Sequence, residues 1–237
     1  MNLSFVSPFC FLGLLAFTGL APAEVASKAS STNESTATVS PHFSPSLVEA
    51  KRLLKVAAEP LRNSADFEVR FEAQVYAPEA ESPERYPGVL LVKDSLRFRL
   101  EIPSGTWVSN GQTFWEYHPK TRQVILRSAQ DIQGRSVPGK ILIQVLDATP
   151  LGLDTLTDQG RKAFRIRLQP DANSRHLDSL WVLIDARKTT LRQVVTLDKA
   201  GTRSEYRMKT LKARSDLSEK SFDFEAPSQT EVVDMRD

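Results

Sequence analysis

Alternation of apolar and charged residues is the feature that most constrains how this chain can fold. Between residues 67 and 75 every second residue is apolar, and the residues between them are Glu68, Arg70, Glu72 and Gln74. Successive side chains of a β-strand point to opposite faces, so this period of two predicts a strand with one buried face. The same pattern returns at 97–102 and 162–168, which predicts several such strands.

Short turns between these segments predict an antiparallel meander. Further strands are expected at 89–92, 123–127, 179–184, 191–197, 204–210 and 222–224. Two helices interrupt them: 46–58, with a Ser46/Glu49 capping box and an end at Pro60, and a short apolar helix at 138–146 that carries Leu142 and Leu146. The predicted class is mainly β with α (α+β), in one domain over residues 46–237.

The stretch WVSNGQTFWEYHP, residues 107–119, predicts an aromatic hairpin. Asn110-Gly111 favours a two-residue type I′ turn, in which both residues have positive φ. On the second strand Trp115 and Tyr117 share one face, and Phe114 and Glu116 share the other. Because Glu116 is charged, we expect its face to meet solvent and the Trp115 face to be buried. The aromatic residues could fill a core or line a ligand cavity.

The N-terminal segment has the pattern of a cleaved signal peptide. Residues 1–23 carry no charge, residues 9–20 form a short apolar run, and Ala21-Pro22-Ala23 fits a cleavage site. Residues 24–45 are rich in Ser, Thr and Ala, which predicts a flexible leader. Cleavage would remove Cys10, the single cysteine, and this expectation favours the periplasm.

Charge and motif content disfavour several functions. The 31 basic and 29 acidic residues are nearly balanced, which argues against a nucleic-acid partner. His42, His118 and His176 lack metal-ligand spacing, and Asp154 and Asp158 are interpreted as solvated loop groups. We expect no metal and no cofactor. An enzyme on a β-rich scaffold is disfavoured because no nucleophile or phosphate-binding motif is found.

The hairpin also carries a family motif. Residues 108–119 resemble the signature VSDGKTLWxYxP of the periplasmic outer-membrane lipoprotein carrier, or LolA, family. Three weaker matches follow the same order along the chain: Phe67 with Phe71, the segment KDSLRFRLE at 93–101, and Phe222-x-Phe224-x2-Pro227 with Val232-Val233-Asp234. Together they cover nearly all of residues 46–234.

The resemblance implies an incomplete, strongly curved antiparallel β-barrel closed by a helical lid. It implies a monomeric periplasmic chaperone that carries lipoproteins from an inner-membrane ABC transporter to an outer-membrane acceptor. The acyl chains would enter an apolar cavity. The residues expected to line it are Val69, Phe71, Leu91, Phe98, Leu100, Trp115, Tyr117, Leu126, Leu142, Leu146 and Ile166.

The chain departs from the family pattern near Lys93. Asp94-Ser95 stands where the family has a basic residue followed by proline, and in the family that basic residue is tied to lid closure and transfer. We therefore expect Lys93, Asp94 and Arg97 to form a transfer site or latch of a different kind. Two other functions stay open: a carrier of other lipids, or a domain that senses a lipidated ligand and regulates an anti-sigma factor.

Overall fold

The computed structural model describes residues 45–62, 64, 66–94, 96–130, 142, 145, 148–170 and 177–236. The predicted signal peptide and leader lie outside these residues, except for residue 45. Cys10, His42, His176 and Leu146 also lie outside them.

Among the described residues, twelve strands form one open, curled sheet, which confirms the predicted fold. The strands are β1 Asp66–Tyr76, β2 Glu84–Val92, β3 Arg97–Ile102, β4 Gly105–Asn110, β5 Thr113–His118, β6 Gln123–Ser128, β7 Pro150–Asp158, β8 Arg161–Leu168, β9 Leu177–Asp185, β10 Leu191–Asp198, β11 Arg203–Arg214 and β12 Glu231–Asp234. Their order in the sheet is β12-β6-β5-β4-β3-β2-β1-β11-β10-β9-β8-β7. Neighbours are antiparallel, apart from the parallel pair β12 and β6.

The curl gives the sheet an inner and an outer face. Residues paired directly across antiparallel strands share a face, so the register assigns each side chain to one of the two. A single core cluster joins Phe98 of β3 and Trp107 of β4 to Ile166 of β8 and Val182 of β9. Because β3 and β8 are far apart in the sheet order, their shared core shows that the sheet wraps around its inner face.

Helix α1, Pro45–Arg62, covers part of the inner face and contacts β7 and β11. Its buried residues include Leu53, Leu54 and Leu61, each at most 2% exposed. The prediction that Pro60 ends the helix is wrong, because the helix continues for two more residues, to Arg62. Proline removes one helical hydrogen bond and crowds the preceding turn, but burial of Leu61 favours this short continuation. Within the described ranges, no helix is both long and apolar enough to cross a bilayer.

The predicted capping box at the start of α1 is also wrong. The helix begins at Pro45, so Ser46 lies within its first turn. The Glu49 carboxylate accepts two hydrogen bonds from Arg52, at 2.7 and 2.6 Å, in an exposed i, i+3 pair. Proline suits the first helical position since the missing N–H has no partner there in any case.

Two further sequence assignments need correction. Asp154 and Asp158 are not loop residues, because they lie in β7 and pair with Arg165 and Arg192. The predicted strand at 222–224 is absent: Phe222 ends a 3-10 helix, Glu219–Phe222, and the C-terminal strand is β12. In the predicted helix at 138–146, Leu142 and Val145 are helical and 6% exposed.

The segment 217–224, here called the C-terminal strap, covers the outer face of the sheet. Its 3-10 helix contacts β3 and β4, and the ring of Phe224 lies 5.4 Å from that of Tyr117. Phe222 is fully buried, and so is Val108 of β4, which faces outward. The sheet therefore has apolar contacts on both faces: the large inner core and a smaller one beneath the strap.

The strap should contribute measurably to stability. Phe222→Ala removes a fully buried ring and is expected to lower the free energy of unfolding by about 3–5 kcal/mol, measured by urea denaturation. Val232→Ala is the control, because Val232 is 55% exposed and its truncation should cost less than about 0.5 kcal/mol. Equal effects of the two substitutions would show that the strap is not a packing element.

Candidate functional site

The inner face is a continuous apolar surface that begins at β1. Val69 and Phe98 are at most 2% exposed, Leu100 is 8% exposed, and Ile166 on the far side is fully buried. Phe71 is half-buried and meets Tyr206 edge-on, with ring centroids 5.9 Å apart. Five of the predicted acyl-contacting residues thus lie on this face: Val69, Phe71, Phe98, Leu100 and Ile166. Leu142 is packed into the same core.

Gly88 provides the space into which the Phe71 ring fits. The two residues are paired directly between β1 and β2, and a Cβ atom on Gly88 would lie 2.1 Å from Cζ of Phe71. No real Cβ contact is that short, so any larger residue at 88 would push the ring aside. The local sequence therefore sets the position of an aromatic ring on the inner face.

Four of the predicted acyl-contacting residues face outward, and their prediction as part of the inner cavity is wrong. The register pairs Leu100 with Trp107 and Trp107 with Glu116, so Trp107 lies on the inner face. Trp115 pairs with Val108 on one side and Leu126 on the other, on the outer face. Tyr117 and Leu126 share that face, and Leu91 faces outward opposite Glu68.

Two local causes explain the error at the hairpin. Gly111 has a φ of 92° but Asn110 does not have a positive φ, so the turn is not the predicted type I′. Instead Asn110 Oδ1 accepts hydrogen bonds from the N–H groups of Gln112 and Thr113 at 3.0 and 2.9 Å. The assumption that a charged residue marks the solvent face also fails, because Glu116 has a partner on the inner face.

That partner belongs to a group of polar residues at the β5–β6 side of the inner face, here called the polar end: Glu116, His118, Gln123 and Arg127. Glu116 Oε1 lies 3.3 Å from His118 Nε2, and these side chains are only 17% and 27% exposed. The His118 ring meets Trp107 edge-on, at 6.2 Å between centroids. Arg127 lies directly opposite Phe114, whose ring is 6.0 Å from Phe98.

Sequence reasoning missed the polar end, although one signal pointed to it. Glu116 and His118 occupy the two open positions, marked x, of the family signature VSDGKTLWxYxP. Positions that alternate with the aromatic residues of this motif on a strand must project to the opposite face. Once Trp115 and Tyr117 are placed outside, the two open positions necessarily face the inner side.

Lys93, Asp94 and Arg97 do come together, at the turn between β2 and β3. Asp94 makes its contacts within the turn, while Lys93 and Arg97 contact the strap. Asp94 Oδ1 accepts hydrogen bonds from the N–H groups of Leu96 and Arg97, both at 2.8 Å. Arg97 donates to both carboxylate oxygens of Glu219, at 2.8 and 2.7 Å. Lys93 Nζ donates to the carbonyl of Leu217 at 2.7 Å. A role of these residues in transfer stays a prediction.

The ion pairs of this turn shift two carboxyl pKa values. Burial alone would raise the pKa of Asp94, but hydrogen bonds from Leu96 and Arg97 outweigh it and leave that pKa below its ordinary value. The pKa of Glu219 is lowered chiefly by its hydrogen bonds with Arg97. Asp94 therefore stabilises a turn and orients an arginine toward the strap, which accounts for a carboxylate at this position.

The outer face carries a separate groove of about 360 Å³ over β7 to β11. Trp181 lies in it, surrounded by arginines. Each of these arginines meets a carboxylate: Arg165 with Asp154, Arg203 with Glu205, and Arg207 with Asp158, at 2.8 to 3.0 Å. The charges of this groove are thus satisfied within the protein. Within the described ranges, no group of three or more His, Cys, Asp or Glu residues is placed to hold a metal ion.

The fold and the inner face define a class: an open, curled antiparallel sheet with a helix packed against its apolar inner surface. Comparison with known proteins identifies the family. The sequence model of the family described as outer membrane lipoprotein carrier protein LolA matches residues 62–225. The chain therefore belongs to the LolA family, and the resemblance found in its motifs is confirmed.

Individual relatives are distant. The outer-membrane lipoprotein carrier protein of Haemophilus ducreyi is 26% identical over 187 residues, covering 74% of this chain and 82% of that protein. An uncharacterized conserved protein from Thermus thermophilus has a solved structure with the same fold, at a TM-score of 0.50, 15% identity, and coverage of 78% and 99%. A LolA superfamily protein from Nitrosomonas europaea aligns with a TM-score of 0.39 and 16% identity, over 74% and 97% of the two chains.

The turn at Asp94 generates a pH-dependent prediction. Asp94→Asn keeps a hydrogen-bond acceptor but removes the charge that Arg97 meets. It should lower the free energy of unfolding at pH 7 by about 1 kcal/mol, a modest amount because the Asp94 side chain is 38% exposed. Because the folded pKa of Asp94 is lowered, this contribution is full above the ordinary pKa of about 3.9 and is lost as the pH falls through the lower folded pKa.

Urea unfolding of both proteins between neutral and acidic pH measures the difference. Glu225→Gln, at an exposed position just beyond the strap, is the matched control and should change little at any pH. A difference between wild type and Asp94→Asn that persists unchanged into strong acid would contradict the proposed charge interaction.

Proposed function

We propose that this protein is a periplasmic carrier that binds the acyl chains of lipoproteins on its inner face and carries them from the inner to the outer membrane. The observation that carries the proposal is the continuous apolar inner face, covered by α1, Leu142 and Val145, in a chain of the LolA family. Val69, Phe71, Phe98, Leu100 and Ile166 are the proposed acyl contacts, and Leu142 belongs to the cover that the acyl chain displaces.

The energetics favour a ligand that exchanges places with the covering residues. Burying one acyl chain of roughly 16 carbons is worth on the order of 12 kcal/mol before any costs. A carrier with that net affinity could not release its cargo. Displacing the buried side chains of α1 or of Leu142 and Val145 sets a cost against this gain, and the net affinity falls to a reversible level.

Part of the inner face is less completely covered, and this part is the proposed point of entry. Phe71 and Met208 are paired across β1 and β11 and are only half-buried, as is Leu211 nearby. The pairing of β1 with β11 shifts register between Arg70 and Phe71, which loosens the sheet locally. An acyl chain could make its first contacts here and then displace the cover.

The family and the predicted signal peptide together support a periplasmic location. In this proposal the carrier acts as a monomer without a cofactor, receives lipoproteins from an ABC transporter in the inner membrane, and passes them to an acceptor in the outer membrane. The second candidate is a LolA-like carrier of other lipids, or a lipid-sensing domain. It is favoured by the charged side chains at the polar end, which an acyl chain alone does not require.

Tryptophan fluorescence tests the proposed binding face directly. The chain has three tryptophans, of which Trp107 faces inward, while Trp115 and Trp181 face outward. In a variant with Trp115→Phe and Trp181→Phe, a synthetic diacylated lipopeptide should shift the Trp107 emission to saturation. In the matched variant Trp107→Phe, which keeps the two outer tryptophans, the same lipopeptide should leave the emission almost unchanged.

The responses of the two variants distinguish binding on the inner face from binding on the outer face. A response only in the variant that keeps Trp115 and Trp181 would place the ligand on the outer face and overturn the proposed site. Failure of wild-type protein to bind any acylated ligand, measured by calorimetry, would overturn the carrier function itself.

A further inference from the structure

Arg127 is a cation on the inner face with no ion-pair partner within 4 Å among the described residues. It pairs directly with Phe114, and Phe114 contacts Phe98, so the guanidinium borders the apolar surface proposed for acyl chains. Its Nε atom is buried and makes no hydrogen bond within the described ranges, where no carboxylate lies within 4 Å of it. Leaving a buried hydrogen-bond donor without a partner is costly, so native proteins usually supply one.

Arginines with close carboxylate partners lie on the outer face of the sheet. The arginines of the outer groove each meet a carboxylate, and Arg97 meets both Asp94 and Glu219. On the inner face, the carboxylate of Glu116 lies diagonally across the β5–β6 pair and has His118 as its partner at 3.3 Å. Arg127 therefore keeps a net positive charge available at the polar end.

We propose that Arg127 binds the anionic phosphate of an acyl lipid whose hydrocarbon chain lies along the inner face. This inference rests on the proposed acyl-binding function and extends its cargo beyond lipoproteins to phosphate-bearing lipids. The chain would lie against Phe98 and Phe114, and its head group would reach the polar end. The hydrocarbon chain of such a lipid would cover the apolar surface, and its phosphate would form an ion pair with the guanidinium.

The chemistry favours a phosphate over a neutral oxygen. A guanidinium presents paired N–H groups that match two oxygens of a phosphate, and such charge-assisted bonds are about twice as strong as bonds to neutral acceptors. An ester carbonyl would satisfy one donor but leave the charge uncompensated beside apolar rings. The diagonal Glu116 weakens an anion here by repulsion, and this repulsion supplies a second test.

The experiment compares two lipids that differ only in the phosphate-bearing head group. Lysophosphatidylglycerol and a monoacylglycerol with the same acyl chain are titrated into the full mature protein, with displacement of an apolar dye as the readout. Wild type should bind the anionic lipid at least about tenfold more tightly. Arg127→Gln should abolish this preference and leave the neutral lipid unaffected, and Arg127→Lys should retain part of it.

The control variant is Arg167→Gln, which removes the same charge from an exposed position on the outer face, opposite Trp181, and should keep the preference. Glu116→Gln should strengthen binding of the anionic lipid by about two- to threefold, the effect of removing one negative charge at this spacing. Glycerol 3-phosphate, which has no acyl chain, should compete poorly, and this separates a lipid site from a site for free phosphate.

The outcomes separate this inference from the function on which it rests. Equal affinity of wild type for the two lipids, or an equal loss of both in Arg127→Gln, would overturn the phosphate site while leaving the carrier function intact. Strong competition by glycerol 3-phosphate would replace the lipid with free phosphate. The wild-type protein itself must prefer the anionic lipid, so the inference can be overturned even if one of the variants folds poorly. If neither lipid binds, the proposed function fails as well.

Discussion

Burial of the apolar inner face beneath helix α1 is the interaction on which the other features of this structure depend. A curled sheet with an open edge would expose a large apolar surface in water, and such surfaces promote aggregation. Six buried residues of α1 contribute to the core that closes this surface: Ala50, Leu53, Leu54, Ala57, Ala58 and Leu61. Leu142 and Val145 join the same core. In our account, an acyl ligand uses this surface by taking the place of part of the cover.

The outer face is organised by different forces. Beneath the strap, buried Phe222 and Val108 provide apolar contacts, while Lys93, Arg97 and Glu219 hold the strap by ion pairs and hydrogen bonds. The residues expected to act on a lid are thus engaged on the side of the sheet away from the inner core. A carrier whose inner face opens and closes needs a frame that stays fixed, and the strap contributes to that frame.

Sequence periodicity predicted the inner residues of the long strands, because the charged residues that alternate with them face solvent and the apolar residues must therefore face the core. Val69, Phe98 and Ile166 were placed correctly for this reason. Periodicity failed at Trp115, because both faces of this short hairpin carry aromatic residues and Glu116 pairs with His118 on the inner face. It also missed β7, where polar Asp154 and Asp158 are held by arginines from other strands. Contacts with residues on other strands or at other positions determine where these charged side chains lie, and the local sequence pattern does not contain that information.

The affinity of Leu142→Ala for a diacylated lipopeptide tests the central claim most directly, since Leu142 is 6% exposed within the shared core. If covering residues and ligand compete for the inner face, truncating Leu142 weakens the cover, and the variant should bind about tenfold more tightly than wild type by isothermal titration calorimetry. Leu126→Ala, on the outer face, should bind like wild type. Weaker binding by Leu142→Ala would show that this side chain forms part of a fixed binding wall, which would contradict exchange between cover and ligand.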